Sequence, residues 1–358
     1  MPAQSLNPQT VAYLRGKLLQ WYAANRRDLP WRRTCDPYAI WVSEIMLQQT
    51  RVAAVVDRFQ TFLARFPTVK SLARAPETDV LALWSGLGYY RRARMLHNAA
   101  QVVTAHHQGS LPATAAELLE LPGIGPYTAA AIASIAYGEP VPVIDGNVER
   151  VLCRLMHWSA ESGTVGHKLK VKRLAGRLLD PERPGDFNQA MMELGATVCL
   201  PRSPLCVQCP LHQVCLTRGE HRTRRRAPMQ TREIAHALVL RAYGRGGERN
   251  RQSREVLLEQ RPASQSVMPG LWQLPQLRHS VVSEGDLRMT VRHSIMQINY
   301  IVRIRAVPRS KAAALTVHSG KRRWVPLHRA TTMPLTGLTR KILTRVLLRI
   351  NDSGSLKR

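Results

Sequence analysis

Four of the six cysteines, Cys199, Cys206, Cys209 and Cys215, fall in one short segment with the spacing C-x6-C-x2-C-x5-C. Four thiolates gathered by a loop are a ligand set for zinc or for an iron–sulfur cluster. Zinc ribbons carry two tight pairs, whereas only Cys206 and Cys209 are tight here, which leans away from zinc. A second constellation carries polar groups of another kind. From Leu121 the chain reads Leu-Pro-Gly-Ile-Gly-Pro-Tyr, then an alanine-rich run, then Val-Ile-Asp-Gly-Asn-Val ending at Val148. Gly123, Gly125, Tyr127, Asp145 and Asn147 all lie within it. Gly123 and Gly125 allow positive φ and leave backbone N–H groups bare, and a helix beginning at Pro126 adds its dipole, so this hairpin favours an anion such as a backbone phosphate. Two glycines between leucine-rich segments also suit an ordinary helical turn.

These residues need a frame. Thr114 and Glu117 have capping-box spacing, which predicts a helix running into Leu121 until Pro122 stops it. Pro126 suits a first helical position, so a second helix spans Tyr127 to Tyr137 and ends at Gly138, leaving Asp145 on a loop or a helix start. Upstream, Val11, Leu14, Leu18, Leu19 and Tyr22 mark a helix over Thr10 to Ala24, broken by Arg26, Arg27, Asp28, Leu29, Pro30 and Trp31. Ser43 caps a helix that starts at Glu44, with Ile45, Met46, Leu47 and Val52 as its buried face. A glutamate in a first helical turn is commonly a dipole partner. Residues 52 to 82 read as short helices broken at Pro67 and Pro76. In the following Leu83 to Arg94, two glycines bracket Leu87, while Tyr89, Arg91 and Arg94 combine a stacking face with phosphate-seeking charge or, equally, form a helix cap with core aromatics.

At 358 residues the chain is long enough for two domains with their own cores. Its 52 Lys and Arg against 24 Asp and Glu give a net charge of +28, a field that attracts polyanions, nucleic acid first among them. No apolar run is long enough to span a membrane and no secretion signal opens the chain, so disulfides are not expected and a reducing cytoplasmic compartment is. Cys35 and Cys153 stand apart as ordinary thiols. Arg218 to Arg232 holds six arginines against Glu220 alone and reads as a basic linker. Beyond it the texture becomes α+β. Ile234–Tyr243 and Glu255–Gln260 are expected as paired strands, Ile295–Arg305 and Trp324–Leu327 as further strands, and Leu338, Ile342, Leu343, Val346, Leu347 and Ile350 as the face of a last helix. The expected domains are therefore 1–217, a linker 218–232, 233–352, and a tail 353–358.

With Asp145 downstream of the hairpin, the first half resembles the helix-hairpin-helix plus Gly/Pro-Asp superfamily of base-excision glycosylases, which includes endonuclease III. The runs Leu29-Pro30-Trp31-Arg32 and Trp41-Val42-Ser43-Glu44-Ile45-Met46-Leu47-Gln48-Gln49-Thr50 are similar to the MutY type, the adenine DNA glycosylases. The resemblance implies an all-α helix-hairpin-helix domain with a 4Fe–4S cluster loop on Cys199, Cys206, Cys209 and Cys215, then a smaller α+β Nudix-like domain. It implies removal of adenine mispaired with 8-oxoguanine or guanine in double-stranded DNA, by a monomeric, cytoplasmic, nucleoid-associated protein of bacterial type. Glu44 would be the acid that protonates adenine and later the water's base, and Asp145 the carboxylate that stabilises the sugar cation, held by Tyr127 and Asn147. Tyr127 stands where the bifunctional members carry a nucleophilic lysine, so a monofunctional enzyme is expected. Trp31 and Arg32 would build the base pocket, Gln49, Leu87 and Tyr89 would enter the duplex, and Arg202 in the cluster loop would face DNA. Gln260-Arg261-Pro262 and Gly270-Leu271-Trp272-Gln273-Leu274-Pro275 carry the likeness to the Nudix-like domain, without the glutamate-rich box of the phosphohydrolases after Gly270, so no pyrophosphatase activity is expected. That domain would read 8-oxoguanine through His293 and Gln297, although Ile295, Met296 and Gln297 replace the family's Phe-Ser-His element. The rival readings are a thymine–guanine mismatch glycosylase and a non-catalytic duplex-binding protein.

Overall fold

A computed structural model of the chain describes residues 6–158, 164–220, 228–242, 254–265, 267–278, 286–295, 297–317 and 320–353. Two compact units emerge: Met1–Arg74 with Met95–Arg225, and Ala75–Arg94 with Arg226–Arg358. Among the described residues no helix is long and apolar enough to cross a membrane.

The first unit is helical. It contains α1 (Pro8–Asn25), α2 (Pro37–Leu47), α3 (Val52–Arg65) and α4 (Val69–Arg74). After α5 (Glu77–Leu83), which groups with the second unit, come α6 (Arg91–His106), α7 (Ala115–Leu118), α8 (Pro126–Tyr137), α9 (Gly146–Leu155), α10 (Val165–Leu178) and α11 (Pro184–Thr197). Leu14 and Leu18 of α1, Leu152 of α9, Leu178 of α10 and Ala190 of α11 are fully buried in one core. Complete burial of each such leucine contributes roughly 1.5–3 kcal/mol.

The hairpin follows from local chemistry. Thr114 and Glu117 form the reciprocal capping box, yet α7 closes at Leu118, sooner than the predicted run to Leu121. Gly123 takes φ +80°, and a Cβ there would sit 2.6 Å from Cβ of Met95, so the position excludes side chains twice over. Pro126 opens α8 and Gly138 closes it in the left-handed conformation, its N–H bonded to the Ala133 carbonyl.

α2 corrects one expectation. Its N-cap is Asp36, whose side chain accepts from Tyr38 N, with Pro37 as first residue. Ser43 lies inside the helix, its hydroxyl donating to the Ile40 carbonyl at 2.8 Å. The helix starts earlier because Tyr38 through Met46 are all buried and Asp36-Pro37 offers a competent start. Glu44 is therefore near the C-terminal end of α2, where the dipole disfavours a negative charge.

The second unit holds β1 (Gln230–Leu238), β2 (Leu240–Ala242), β3 (Arg254–Gln260), β4 (Trp272–Gln273), β5 (Leu287–Ile295), β6 (Ile298–Ala306) and β7 (Arg322–Pro326). Three short or terminal helices, α12 (Ala312–Leu315), α13 (Leu327–Ala330) and α14 (Gly337–Ser353), accompany them. One sheet has the order β1-β6-β5, with β1 parallel to β6; in the other, β3 lies between β2 and β7 and also pairs with β4. The expected pairing of Ile234–Tyr243 with Glu255–Gln260 is thus split. Leu240–Ala242 pairs with β3, while Gln230–Leu238 pairs with β6. Tyr243 lies outside the described residues, as does the side chain of Ile350, while Ile342, Leu343 and Val346 of α14 pack on Val291, Val302 and Ile304.

Ala75–Arg94 groups with this unit, unlike the expected boundary at 217, for a visible reason. The Tyr90 hydroxyl donates to the Leu335 carbonyl at 2.6 Å, and Arg94 donates to Glu77 at 2.9 Å and to the Pro269 carbonyl at 2.8 Å.

Candidate active site

A cleft of about 770 Å³ opens in the helical unit, lined among others by Trp31, Arg32, Glu44, Gln49, Gly123, Gly125, Tyr127, Asp145 and Asn147. Sequence-distant positions thus meet at one place. Glu44 comes from α2, Tyr127 from the first turn of α8, and Asp145 is the N-cap of α9.

Glu44 is 5% exposed. Burial pushes its carboxyl up to about 7, and the nearby Asp145 charge adds to the rise, while the Tyr127 hydrogen bond and the Arg32 charge pull the other way. The Tyr127 hydroxyl donates to Glu44 Oε2 at 2.7 Å and also lies 3.3 Å from the Met192 sulfur. Burial and the adjoining Glu44 hold that phenol well above its ordinary value, so it stays a donor. Asp145 has a different setting. One carboxylate oxygen accepts from Asn147 N at 2.9 Å and Val148 N at 2.7 Å, and the other accepts from Asn147 Nδ2 at 3.0 Å. One cleft therefore holds a carboxyl that stays protonated close to neutrality and a carboxylate fixed by backbone donors, the pairing that acid-assisted bond cleavage requires.

Support reaches back to the cysteine loop. Arg150 donates to Asn147 Oδ1 at 2.9 Å, to the Cys199 carbonyl at 2.9 Å and to the Gly195 carbonyl at 2.6 Å. Asn188, 3% exposed, clamps the segment leading to Asp145: its Oδ1 accepts from Val143 N at 3.0 Å and its Nδ2 donates to the Val141 carbonyl at 2.9 Å. Cys199, Cys206, Cys209 and Cys215 line a separate, apolar cavity with Val151, Leu155 and Leu194. Arg154, 2% exposed, donates to Cys199 Sγ at 3.3 Å and to the Leu200 and Pro201 carbonyls. Among the described residues no carboxylate pairs with it. Arg202 is exposed on the loop between the first two cysteines.

Sequence reasoning passed over Arg27, Gln189, Met192 and Glu193, which also line the cleft. A signal existed: Gln189 and Glu193 lie four apart on α11, the spacing that places two polar groups on one face. Gln49 is exposed and takes φ +55°, a left-handed conformation rare for a side chain other than glycine or asparagine.

Four named positions belong to the second unit. Tyr89 is 46% exposed at φ +47°, whereas Leu87 is only 4% exposed, so in this conformation the tyrosine is the side chain offered to solvent. Arg92 braces that loop by donating to the Leu87 and Gly88 carbonyls beside the Trp84 and Tyr89 rings. His293 is half-buried on β5, its pKa lowered by burial and by Lys341. Gln297 is exposed in the β5–β6 turn; Met296 lies outside the described residues.

Residues 42–176 match the HhH-GPD superfamily base excision DNA repair protein family. The chain is 49% identical over 217 residues to the adenine DNA glycosylase of Homo sapiens, a match covering 58% of this chain and 40% of that protein. It is 39% identical over 319 residues to the adenine DNA glycosylase of Arabidopsis thaliana, covering 79% of this chain and 50% of that protein. The matches thus span half or less of these relatives' lengths. A solved thermostable thymine-DNA glycosylase superposes with a TM-score of 0.56 at 29% identity, covering 60% of this chain and 99% of that one. The glycine hairpin, the capped Asp145 and these likenesses together make residues 42–176 of the helical unit similar to the HhH-GPD superfamily of base excision DNA repair proteins.

Proposed function

We propose that the chain is an adenine DNA glycosylase, a monomer that extrudes adenine mispaired with 8-oxoguanine or guanine and hydrolyses its N-glycosidic bond. The observation that carries the reading is Glu44 held near neutrality in the cleft that also contains Asp145. Adenine leaves poorly unless its ring is protonated, and cleavage leaves positive charge on the sugar, so an acid and a carboxylate are needed at opposite ends of the breaking bond. Glu44 is the proton donor to the base and then accepts a proton from the attacking water. Asp145 stabilises the sugar cation. Tyr127 and Asn147 orient the two carboxyls, and Trp31 and Arg32 wall the base pocket. Gly123 and Gly125 grip a phosphate, and Gln49, Leu87 and Tyr89 fill the stack behind the extruded nucleotide, which offsets part of the unstacking cost. The second unit is a Nudix-like reader of 8-oxoguanine, with His293 and Gln297 at the lesion. The resulting location is the cytoplasm, on the nucleoid.

Cys199, Cys206, Cys209 and Cys215 suit a 4Fe–4S cluster. Two features support the fit. A buried Arg154 without a carboxylate partner among the described residues points at Cys199 Sγ, which calls for anionic sulfur nearby. The four thiols line one cavity, which is where a multi-atom cluster would sit. Bound there, the cluster would supply rigidity to the loop carrying Arg202.

The rival reading, a thymine–guanine mismatch glycosylase, draws on the likeness to the thymine-DNA glycosylase structure. The buried acid Glu44 favours adenine, whose departure needs ring protonation. The test is product analysis on a duplex with adenine opposite 8-oxoguanine: free adenine and an abasic strand, with no adduct trapped by borohydride, support the reading. An uncleaved base, or a trapped lysine adduct, overturns it.

A further inference from the structure

Glu193 on α11 is 1% exposed and lines the same cleft. Its Oε1 accepts from Arg27 N at 3.2 Å and Arg27 Nε at 2.7 Å, and its Oε2 accepts from Arg27 Nη2 at 2.7 Å and Arg32 Nη2 at 2.8 Å. The two guanidiniums differ in depth. The Arg27 side chain is 40% exposed and shares its charge with solvent, whereas that of Arg32 is 10% exposed and depends on protein groups. Arg32 also lies over the Tyr22 ring, 5.6 Å from its centre, and donates to the Arg27 carbonyl at 3.2 Å.

A buried guanidinium needs a carboxylate, and the cleft offers a second one. The charged or titratable groups acting on Glu44 are Tyr127 from α8, Asp145 from the start of α9 and Arg32 from the turn after α1. α3 also packs on α2, but its Asp57, Arg58 and Arg65 do not line the cleft.

We infer that Glu193 is a positioning residue: by binding Arg32 at the floor of the cleft it keeps that guanidinium from pairing with Glu44, and so preserves Glu44 as an acid. The inference rests on the glycosylase reading and deepens it. Burial alone would raise the Glu193 carboxyl, but hydrogen bonds from Arg27 and Arg32 outweigh that and hold it down to about 2, so the clamp stays ionised wherever Glu44 titrates. Without that carboxylate, Arg32, whose charge already acts on Glu44, is released to pair with it, and an ionised Glu44 donates no proton.

The test follows Glu44 directly. Its titration is read by carbon NMR of glutamate-labelled protein in the full chain and in Glu193→Gln, with Glu44→Gln identifying the resonance, alongside the pH profile of adenine release. In E193Q the Glu44 midpoint is expected to fall by about one pH unit or more, the usual effect of an adjacent cation, and the descending limb of base release to fall with it. Removing the cation as well, in Arg32→Met with E193Q, should return the midpoint to its original place or above it, because the pull of Arg32 on Glu44 in the parent is lost too. An unmoved Glu44 titration in E193Q, or a double variant whose midpoint stays lowered, overturns the inference whatever base is released. A shifted titration in a protein that releases no adenine would uphold the clamp and sink the glycosylase reading instead. If E193Q does not accumulate in folded form, Glu193→Asp keeps the charge but loses reach, and the midpoint should move the same way by less; no movement would count against the clamp.

Discussion

The Tyr127 hydroxyl, on the first turn of α8, donates a 2.7 Å hydrogen bond to Oε2 of Glu44, on the last turn of α2. The bond favours the ionised carboxyl, while burial favours the neutral one and prevails, leaving Glu44 at about 7. Tyr127→Phe removes the donor and nothing else of size. The descending limb of adenine release is expected to move to higher pH, opposite to the effect of E193Q; a limb that moves to lower pH would mean the hydroxyl does not act on Glu44.

Glu44 should also weigh on stability. A carboxyl raised from 4.5 to about 7 by folding binds its proton more tightly in the native state, so stability is lost as pH rises from the unfolded value through the folded one. At about 1.4 kcal/mol for each pKa unit, the full cost above neutrality is on the order of 3 kcal/mol. Glu44→Gln, which cannot ionise, should melt higher than the parent chain at pH 8 and converge with it near pH 4, while base release is lost and duplex binding persists. Equal melting temperatures at pH 8 would contradict the buried, raised carboxyl.

Asp145→Asn separates chemistry from folding. Asparagine caps a helix as well as aspartate does, so the bonds to Asn147 N and Val148 N survive and the melting temperature should stay within a few degrees. If Asp145 acts as proposed, turnover should fall by orders of magnitude because its negative charge is gone. Robust base release by this variant would remove Asp145 from the mechanism.

Gly195 sits where α11 crosses the start of α9, and a Cβ there would lie 2.7 Å from Cβ of Asn147 and 3.1 Å from its backbone. Gly195→Ala should therefore cost about 1–3 kcal/mol by overpacking and displace the residue that holds Asp145. Denaturant melts and single-turnover rates should fall together; an alanine variant as stable and active as the parent would place the two helices further apart.

Cys206→Ser is expected to lower iron content and the broad visible absorbance of the purified protein, and to weaken duplex affinity through the loop bearing Arg202. Four thiolates purified with zinc and no visible absorbance would contradict the cluster assignment.

What was legible in the sequence was local. Pro126, Gly138 and the Thr114–Glu117 box each act through bonds to neighbours a few residues away, and α8 and the capping box formed where those residues stand. Ser43 misled because Asp36-Pro37 offers an earlier cap and the intervening residues are all buried, a tertiary preference that overrides one hydroxyl. The division of β1 and β2 between two sheets was invisible for a related reason: β1 pairs with β6, far along the chain, and alternation alone does not name that partner. Glu44 and Asp145 were named through family likeness, while the Arg27–Glu193–Arg32 trio beside them required α11 to be packed against the turn after α1.

The most direct measurement is single-turnover base release from three matched duplexes, carrying adenine opposite 8-oxoguanine, adenine opposite guanine, and thymine opposite guanine. The account predicts adenine released from both adenine duplexes, fastest opposite 8-oxoguanine, and no thymine. Release of thymine alone would contradict it.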